Sequence, residues 1–405
     1  MDARALAALA ANPGCRRRAL LDGAGVDKGA LARALGAPAA FGQSQFAHQR
    51  GNSFEARVKA DRGEELLRLL HERLRDGSAA PEPGAAATPD LTATGPQGRT
   101  ARTALALREA TAAGRWALLD HPMVSLDVAG SPAFLEPDAV VVHPDGSWTV
   151  IEIKSFPMVD GSADPAKVGA AARQSAVYTL ALERVAALIG EPPEAEKDAQ
   201  DAHNTPATPE TSHTPDTPAT SETSKTSKTP VRARVRHEVL LVCPKDFSNV
   251  PTAELVDVRK QLAVTRRQLT RLTRIEEIAA ALPEGITFDL RLTDDGRTPT
   301  RPAEELTAAV EAVDAAYAPE CLSTCELAAH CRARSRAAGA VESLGRGVRG
   351  ELGGLTTVEA VLSAALGEAA GPGAQPTGDP AVDALRRAAA LRAEALASHE
   401  AAACR

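Results

Sequence analysis

Apolar positions along the chain fall into runs and spacings, and the densest set lies within residues 116–180. Two runs rich in β-branched residues, 139–142 and 148–153, are separated by Pro144-Asp145-Gly146. Short apolar runs joined by such a triplet predict a β-hairpin. Successive strand residues point to opposite faces, so Glu152 and Lys154 share a side and Ile153 turns into the core. Closure at Asp145-Gly146 sets residue 152 opposite 138 or 139, within reach of a cross-strand pair.

Helical spacing appears elsewhere. Phe54, Val58, Leu66, Leu69 and Leu70 predict a helix ending near Arg75, and further helices are expected over 102–113, 164–188 and 256–281. A strand near 124–128 is expected to pair with the Asp138 strand in a three-stranded meander, with buried strands at 236–244 and 286–292. The fold class is therefore α/β, a central mixed sheet flanked by helices. Its organisation reads as an N-terminal helical segment (1–76), a flexible Gly- and Pro-rich loop (77–100), a core (101–189), a disordered Thr/Pro-rich insertion (190–232), the rest of the same domain (233–335) and an Ala/Gly-rich, partly helical tail (336–405).

Composition adjusts this picture in two places. Aromatic residues make up 3% of the chain, so the core is aliphatic and helix-rich. The formal charge of −7 is concentrated: Glu191, Glu194, Glu196, Asp198, Asp201, Glu210, Asp216 and Glu222 face only Lys197, Lys225 and Lys228 in the insertion. The remainder is close to neutral, so the acidic balance does not exclude a nucleic-acid partner. Without an apolar run of membrane-spanning length or a signal peptide, the expected location is cytoplasmic. Residues 256–281 hold Arg259, Lys260, Arg266, Arg267, Arg271 and Arg274, a basic amphipathic face suited either to a phosphate backbone or to solvent.

The hairpin's open end carries the chemistry. Asp138 and Glu152 at one edge of an apolar sheet repel each other and lose hydration unless a cation neutralises them. An oxygen-only donor set suits Mg²⁺ or Mn²⁺, and Lys154 beside it can orient or deprotonate a water, or offset charge growing on a phosphate.

Pro137-Asp138 and Glu152-Ile153-Lys154, followed by Gln174 and Tyr178 four apart on one helix face, resemble the PD-(D/E)xK nucleases. Gln-x-x-x-Tyr after Glu-x-Lys resembles the RecB-like branch, which includes AddB-type and CRISPR-associated exonucleases. The resemblance implies a restriction-endonuclease-like core and a metal-dependent DNA nuclease, an exonuclease acting on single strands or ends, with a helicase or a repair or defence protein as companion. It implies that Glu55 (in Gly51…Glu55), Asp138, Glu152 and the Ile153 carbonyl hold Mg²⁺ or Mn²⁺. Lys154 then assists the water, and Gln174 and Tyr178 position the strand. His48, one turn before Gly51, competes with Glu55 for the helical position. A catalytically silent or redox-responsive nucleic-acid-binding protein on the same fold stays open.

Six cysteines without a secretory signal are expected to be reduced, so spacing carries the information. Cys321-x3-Cys325-x5-Cys331 crowds three thiols together, which favours a soft metal, and Cys15, followed by three arginines, is the candidate fourth ligand. In the resembled nucleases one cysteine before the core and three after it hold a [4Fe-4S] cluster. Here the first gap is three residues where that family commonly has two. Zinc on the same four, or on the trio with His330, is the rival. Cys243 reads as a small apolar core residue and Cys404 as a free thiol.

Overall fold

The computed structural model describes residues 1–39, 45–77, 79–190, 233–295, 298–366 and 377–403. The Thr/Pro-rich insertion and Cys404 lie outside them. The chain is a mixed α/β protein. Its strands are β1 (Ala117–Asp120), β2 (Val124–Val128), β3 (Ser131–Leu135), β4 (Ala139–Val142), β5 (Ser147–Ile153), β6 (Arg234–Val235), β7 (Glu238–Pro244) and β8 (Pro251–Asp257). Its helices are α1 (Ala3–Ala11), α2 (Arg16–Gly23), α3 (Lys28–Ala34), α4 (Gln45–Val58), α5 (Ala60–Leu74), α6 (Gly95–Ala113), α7 (Pro165–Gly190), α8 (Arg259–Leu269), α9 (Ile275–Ala280), α10 (Ala303–Glu311), α11 (Ala328–Ala337), α12 (Arg346–Glu351), α13 (Val358–Leu366) and α14 (Pro380–Ala403).

The central sheet runs β1-β4-β5-β7-β8, and β6 pairs with β5 along the edge that β7 continues. β5 and β7 are parallel and the long pairs around them antiparallel, so the sheet is mixed as expected. The β4–β5 turn forms for local reasons. Asp145 Oδ1 accepts from the Ser147 amide (2.9 Å) and hydroxyl (2.6 Å), while Gly146 takes φ +80°, a conformation that costs glycine little.

Strand alternation divides the core. Ala139, Val141, Ile151 and Ile153 pack with Phe54, Val58, Leu66 and Leu70 of α4 and α5. Val140, Val142, Trp148 and Val150 face α1, α6, α7 and α8. Trp148 is fully buried and its indole N–H donates to Thr111 Oγ1 at 2.9 Å. A third cluster joins α2 and α3 to α10 and α11 through Leu21, Leu31, Leu306, Val310 and Leu327. The N-terminal segment is thus packed against residues some three hundred positions later.

Four expectations need correction. The strand beside β4 is β1; β2 pairs instead with β3 in a separate two-stranded sheet. The turn between them, Ala129-Gly130, takes φ +54° and +82°, the left-handed pair that closes a tight two-residue hairpin, and Val124, Leu126 and Leu135 pack into the core shared with α6 and α7. The helix expected over 256–281 is two helices preceded by a strand, since residues to Asp257 complete β8. Its buried positions, Leu262, Thr265 and Leu269 and then Ile275 and Ile278, fall out of one helical phase between 269 and 275. Residues 286–292 do not join the sheet: Arg291 takes φ +47° and only Leu292 forms a bridge, to Pro299. Finally, the loop expected over 77–100 is already helical from Gly95, and within it Leu91 is buried and Ala87 bridges Ala117. Cys243 is fully buried in an apolar cluster with Met158, Ala171 and Leu241, which pushes its thiol up to about 12.

Candidate functional site

The site assembles where β4 begins and β5 ends. Pairing of Ala139 with Ile151 puts Asp138 level with Glu152 on the next strand. Both share the parity of Val140 and Val150, so with Lys154 they face α7. Asp138 Oδ2 accepts the amide N–H of Ile153 at 2.6 Å, and it is through this amide that Ile153 enters the cluster. Glu152, 0% exposed, forms an ion pair with Lys154.

Lys154 Nζ also donates to Gln174 Oε1 at 3.4 Å. Gln174 Nε2 donates to the Tyr178 hydroxyl at 3.0 Å, and that hydroxyl donates to the Glu136 carbonyl at 3.1 Å. One turn of α7 therefore ties the ammonium to the backbone just before Pro137-Asp138. Gln174 and Tyr178 share a helix face, as their spacing predicts, and Tyr178 is buried there.

Burial dominates the electrostatics. It drives Glu152 up to about 7, against the pull of Lys154 and with the Asp138 charge adding to the rise. Asp138 is also raised, by burial first, with Lys154 opposing. For Lys154, burial works against the ammonium, but Glu152 and Asp138 outweigh it and the pKa rises. Lys154 is thereby a firmly protonated donor, suited to an oxygen that gains negative charge rather than to removing a proton.

Glu55 stands in a neighbouring cluster. It comes from α4, on the other face of the sheet, and meets the site around the end of β1. Its Oε1 accepts from Lys59 Nζ at 2.6 Å and lies 3.1 Å from His121 Nε2, and Lys59 also reaches Asp120 at 2.8 Å. The His121 bond, aided by Lys59, holds the Glu55 carboxyl down at about 2. His121 N donates to Asp138 O at 3.3 Å and its carbonyl accepts from Arg99 at 3.0 Å. His121 takes φ +45°, a strained conformation for a non-glycine residue. Sequence reading missed Lys59 and His121. His121 follows directly on β1, and placing that strand correctly would have shown it level with Asp138. His48 lies in α4.

The cysteines converge in a separate corner. Cys15 and Cys325 are buried, Cys321 and Cys331 half-buried, and all are free thiols. Cys15 and Cys331 lie close enough to bear on the titration of Cys325, which burial pushes up to about 12 with Arg18 opposing. Burial likewise raises Cys331, with Arg17 opposing. Asn12 Nδ2 donates to Cys321 Sγ at 3.5 Å and Arg17 Nη1 to Cys331 Sγ at 3.2 Å. His330 is buried beside Cys331, its Nε2 3.9 Å from Glu311 Oε1 and without a hydrogen bond.

Among the described residues no three His, Cys, Asp or Glu side chains gather tightly enough to hold a metal ion. Each carboxylate is met from within the chain: Glu152 by Lys154, Asp138 by the Ile153 amide, Glu55 by Lys59 and His121. Two observations nevertheless fit metal donors. Both Glu152 carboxylate oxygens are buried without a hydrogen bond of good geometry, a costly arrangement that a hard cation would relieve. In the cysteine corner, two of the four thiols, Cys321 and Cys331, meet side-chain N–H donors aimed at sulfur, which suits thiolate ligands of a soft metal.

The basic face of α8 and α9 is partly consumed: Arg259 pairs with Asp257, Arg266 with Glu183 and Arg274 with Glu276, leaving Lys260, Arg267 and Arg271 exposed. Among the described residues no helix is long and apolar enough to cross a membrane. Compared with models of known protein families, with curated proteins and with solved structures, the chain matches none of them.

Proposed function

We propose that this chain is a divalent-metal-dependent nuclease of the PD-(D/E)xK type, RecB-like branch, hydrolysing phosphodiester bonds in DNA on a restriction-endonuclease-like core. One observation carries the reading: Asp138, Glu152 and Lys154 share one face at one end of a hairpin, and Gln174 and Tyr178 tie Lys154 in place. Asp138, Glu152, Glu55 and the Ile153 carbonyl would hold Mg²⁺ or Mn²⁺. When bound, such an ion polarises a phosphate oxygen and lowers the pKa of a water. Lys154 donates to the oxygen on which charge grows, and Gln174 keeps its Nζ directed there. The strand enters on the α7 side, as a single strand or an end. Cys15, Cys321, Cys325 and Cys331 would hold a [4Fe-4S] cluster, with zinc as the rival, fastening the N-terminal helices to the segment after α10.

The test uses labelled DNA with Mn²⁺ and compares the wild type with Lys154→Ala and Asp138→Ala. Cleavage by the wild type that both substitutions abolish is expected; equal background cleavage by all three removes the enzymatic reading. A second reading, a nucleic-acid-binding protein without turnover, is favoured by one observation: Glu55 is already committed to Lys59 and His121. It predicts DNA retention with no cleavage in any divalent metal.

A further inference from the structure

Three arginines follow Cys15, and they meet different fates. Arg16 is exposed and faces Asp314 at 3.6 Å. Arg18 is buried and balanced: its Nε pairs with Asp22 at 3.0 Å and its Nη1 donates to the Thr324 carbonyl at 2.6 Å. Arg17 differs. It is 8% exposed, and among the described residues no carboxylate pairs with it.

Its hydrogen bonds go to a carbonyl and to a sulfur. Nε donates to Val313 O at 3.1 Å and Nη1 to Cys331 Sγ at 3.2 Å, while its amide fixes the backbone through Asp314 O at 2.8 Å. A guanidinium keeps its proton in proteins, so this is a permanent buried cation. Buried charges are tolerated when an anion compensates them. Of the nearby acids, Glu311 is paired with Arg334 and the exposed Asp314 faces Arg16, so the sulfurs are the groups in contact with Arg17 that can become anionic. Asn12, three residues before Cys15, makes a second contact of the same kind to Cys321 Sγ while anchored on Ala316 O at 2.6 Å. Both donors sit on the segment that carries the lone cysteine, and both aim at the trio it joins.

We propose that Arg17 is the built-in counter-charge of an anionic thiolate centre formed by Cys15, Cys321, Cys325 and Cys331, and that with Asn12 it supplies the N–H···S bonds that set the centre's metal retention and reduction potential. The inference rests on the reading of these cysteines given above. A zinc ion or an iron–sulfur cluster on four thiolates carries net negative charge, and reduction of a cluster adds more. A cation against one ligand sulfur therefore favours the loaded state and, for a cluster, the reduced form.

The experiment loads the full chain anaerobically with ferrous iron and sulfide, and in parallel with Zn²⁺. It compares wild type, Arg17→Met, Arg17→Lys and Asn12→Ala. Bound iron, sulfide and zinc per chain, chelator competition and an EPR-monitored redox titration are the readouts. Arg17→Met should release metal to chelator at least about tenfold more readily and, if the chain takes iron and sulfide, move the midpoint to more negative potential. Arg17→Lys should restore most of both, and Asn12→Ala should shift both the same way by less. Arg17→Met matching a loaded wild type, or moving the midpoint upward, overturns the proposal alone. Wild type that takes up neither iron nor zinc removes the cysteine reading and the proposal together. Should Arg17→Met fail to fold, Asn12→Ala decides, and wild-type retention and potential in that variant overturn it.

Discussion

Glu152 makes the site's cost measurable. Its carboxyl is buried in the sheet and raised from 4.5 to about 7, by burial first, with Lys154 opposing and Asp138 adding. Below pH 4.5 the folded and unfolded chains both carry the proton, and Glu152 contributes nothing to the pH dependence. As pH rises from 4.5 to 7 the unfolded chain loses the proton while the folded chain keeps it, so folded stability falls. Above pH 7 the loss is complete and amounts to about 3 kcal/mol at most. Glu152→Gln removes this dependence, and Lys154 keeps Asp138 as its counter-charge. His143, held down at about 4 by burial, and His121, raised by its bond to Glu55, add pH dependence of their own. The difference between the two proteins therefore isolates Glu152 where the wild-type curve alone does not. Urea unfolding at about pH 4 and about pH 8 should show the variant gaining on wild type by up to about 3 kcal/mol as pH rises. Adding Mn²⁺ at the higher pH should stabilise wild type more than Glu152→Gln and narrow the gap. Parallel stability curves across this range would refute the account of a strained carboxylate.

Three further outcomes follow from the geometry. Gln174→Ala leaves the Lys154 ammonium without its 3.4 Å partner, so DNA cleavage should fall by up to about 100-fold in kcat with a smaller change in KM. Gly63 takes φ +76°, a backbone conformation strained for an L side chain, and a Cβ there would press on Leu118 Cδ2, so Gly63→Ala should lower stability by about 1–3 kcal/mol in denaturant titration. Trp148→Phe removes the 2.9 Å bond to Thr111 and leaves a gap beneath α6, which should cost about 1–3 kcal/mol without altering the secondary structure seen by circular dichroism.

What was legible in the sequence was what is local. The parity of Glu152 and Lys154, the turn at Asp145-Gly146 and the Gln174/Tyr178 face each depend on residues a few positions apart, and all three stand in the fold. β1 was not legible because Ala-Leu-Leu-Asp favours a helix in isolation, and only pairing with β4 makes it a strand. With β1 misplaced, His121 had no address, and a left-handed histidine leaves no mark in sequence. Lys59 was hidden for a related reason: its partners Asp120 and His121 come from a segment some sixty residues away. Arg17 could be seen beside Cys15, but its lack of an acidic partner is a property of the packed corner.

The docking of Arg17 onto Val313 and Asp314 bears on how the chain is made. A ribosome emitting the polypeptide exposes residues 12–18 long before their acceptors exist, on the order of 15 to 60 seconds at ordinary elongation speeds. Throughout that interval the buried arginines of α2 lack their acceptors, whereas the β4–β5 ribbon needs only its own neighbours. Closure of the cysteine corner is thus a late event, and a chaperone acting on it would meet a sheet whose strands have all been made.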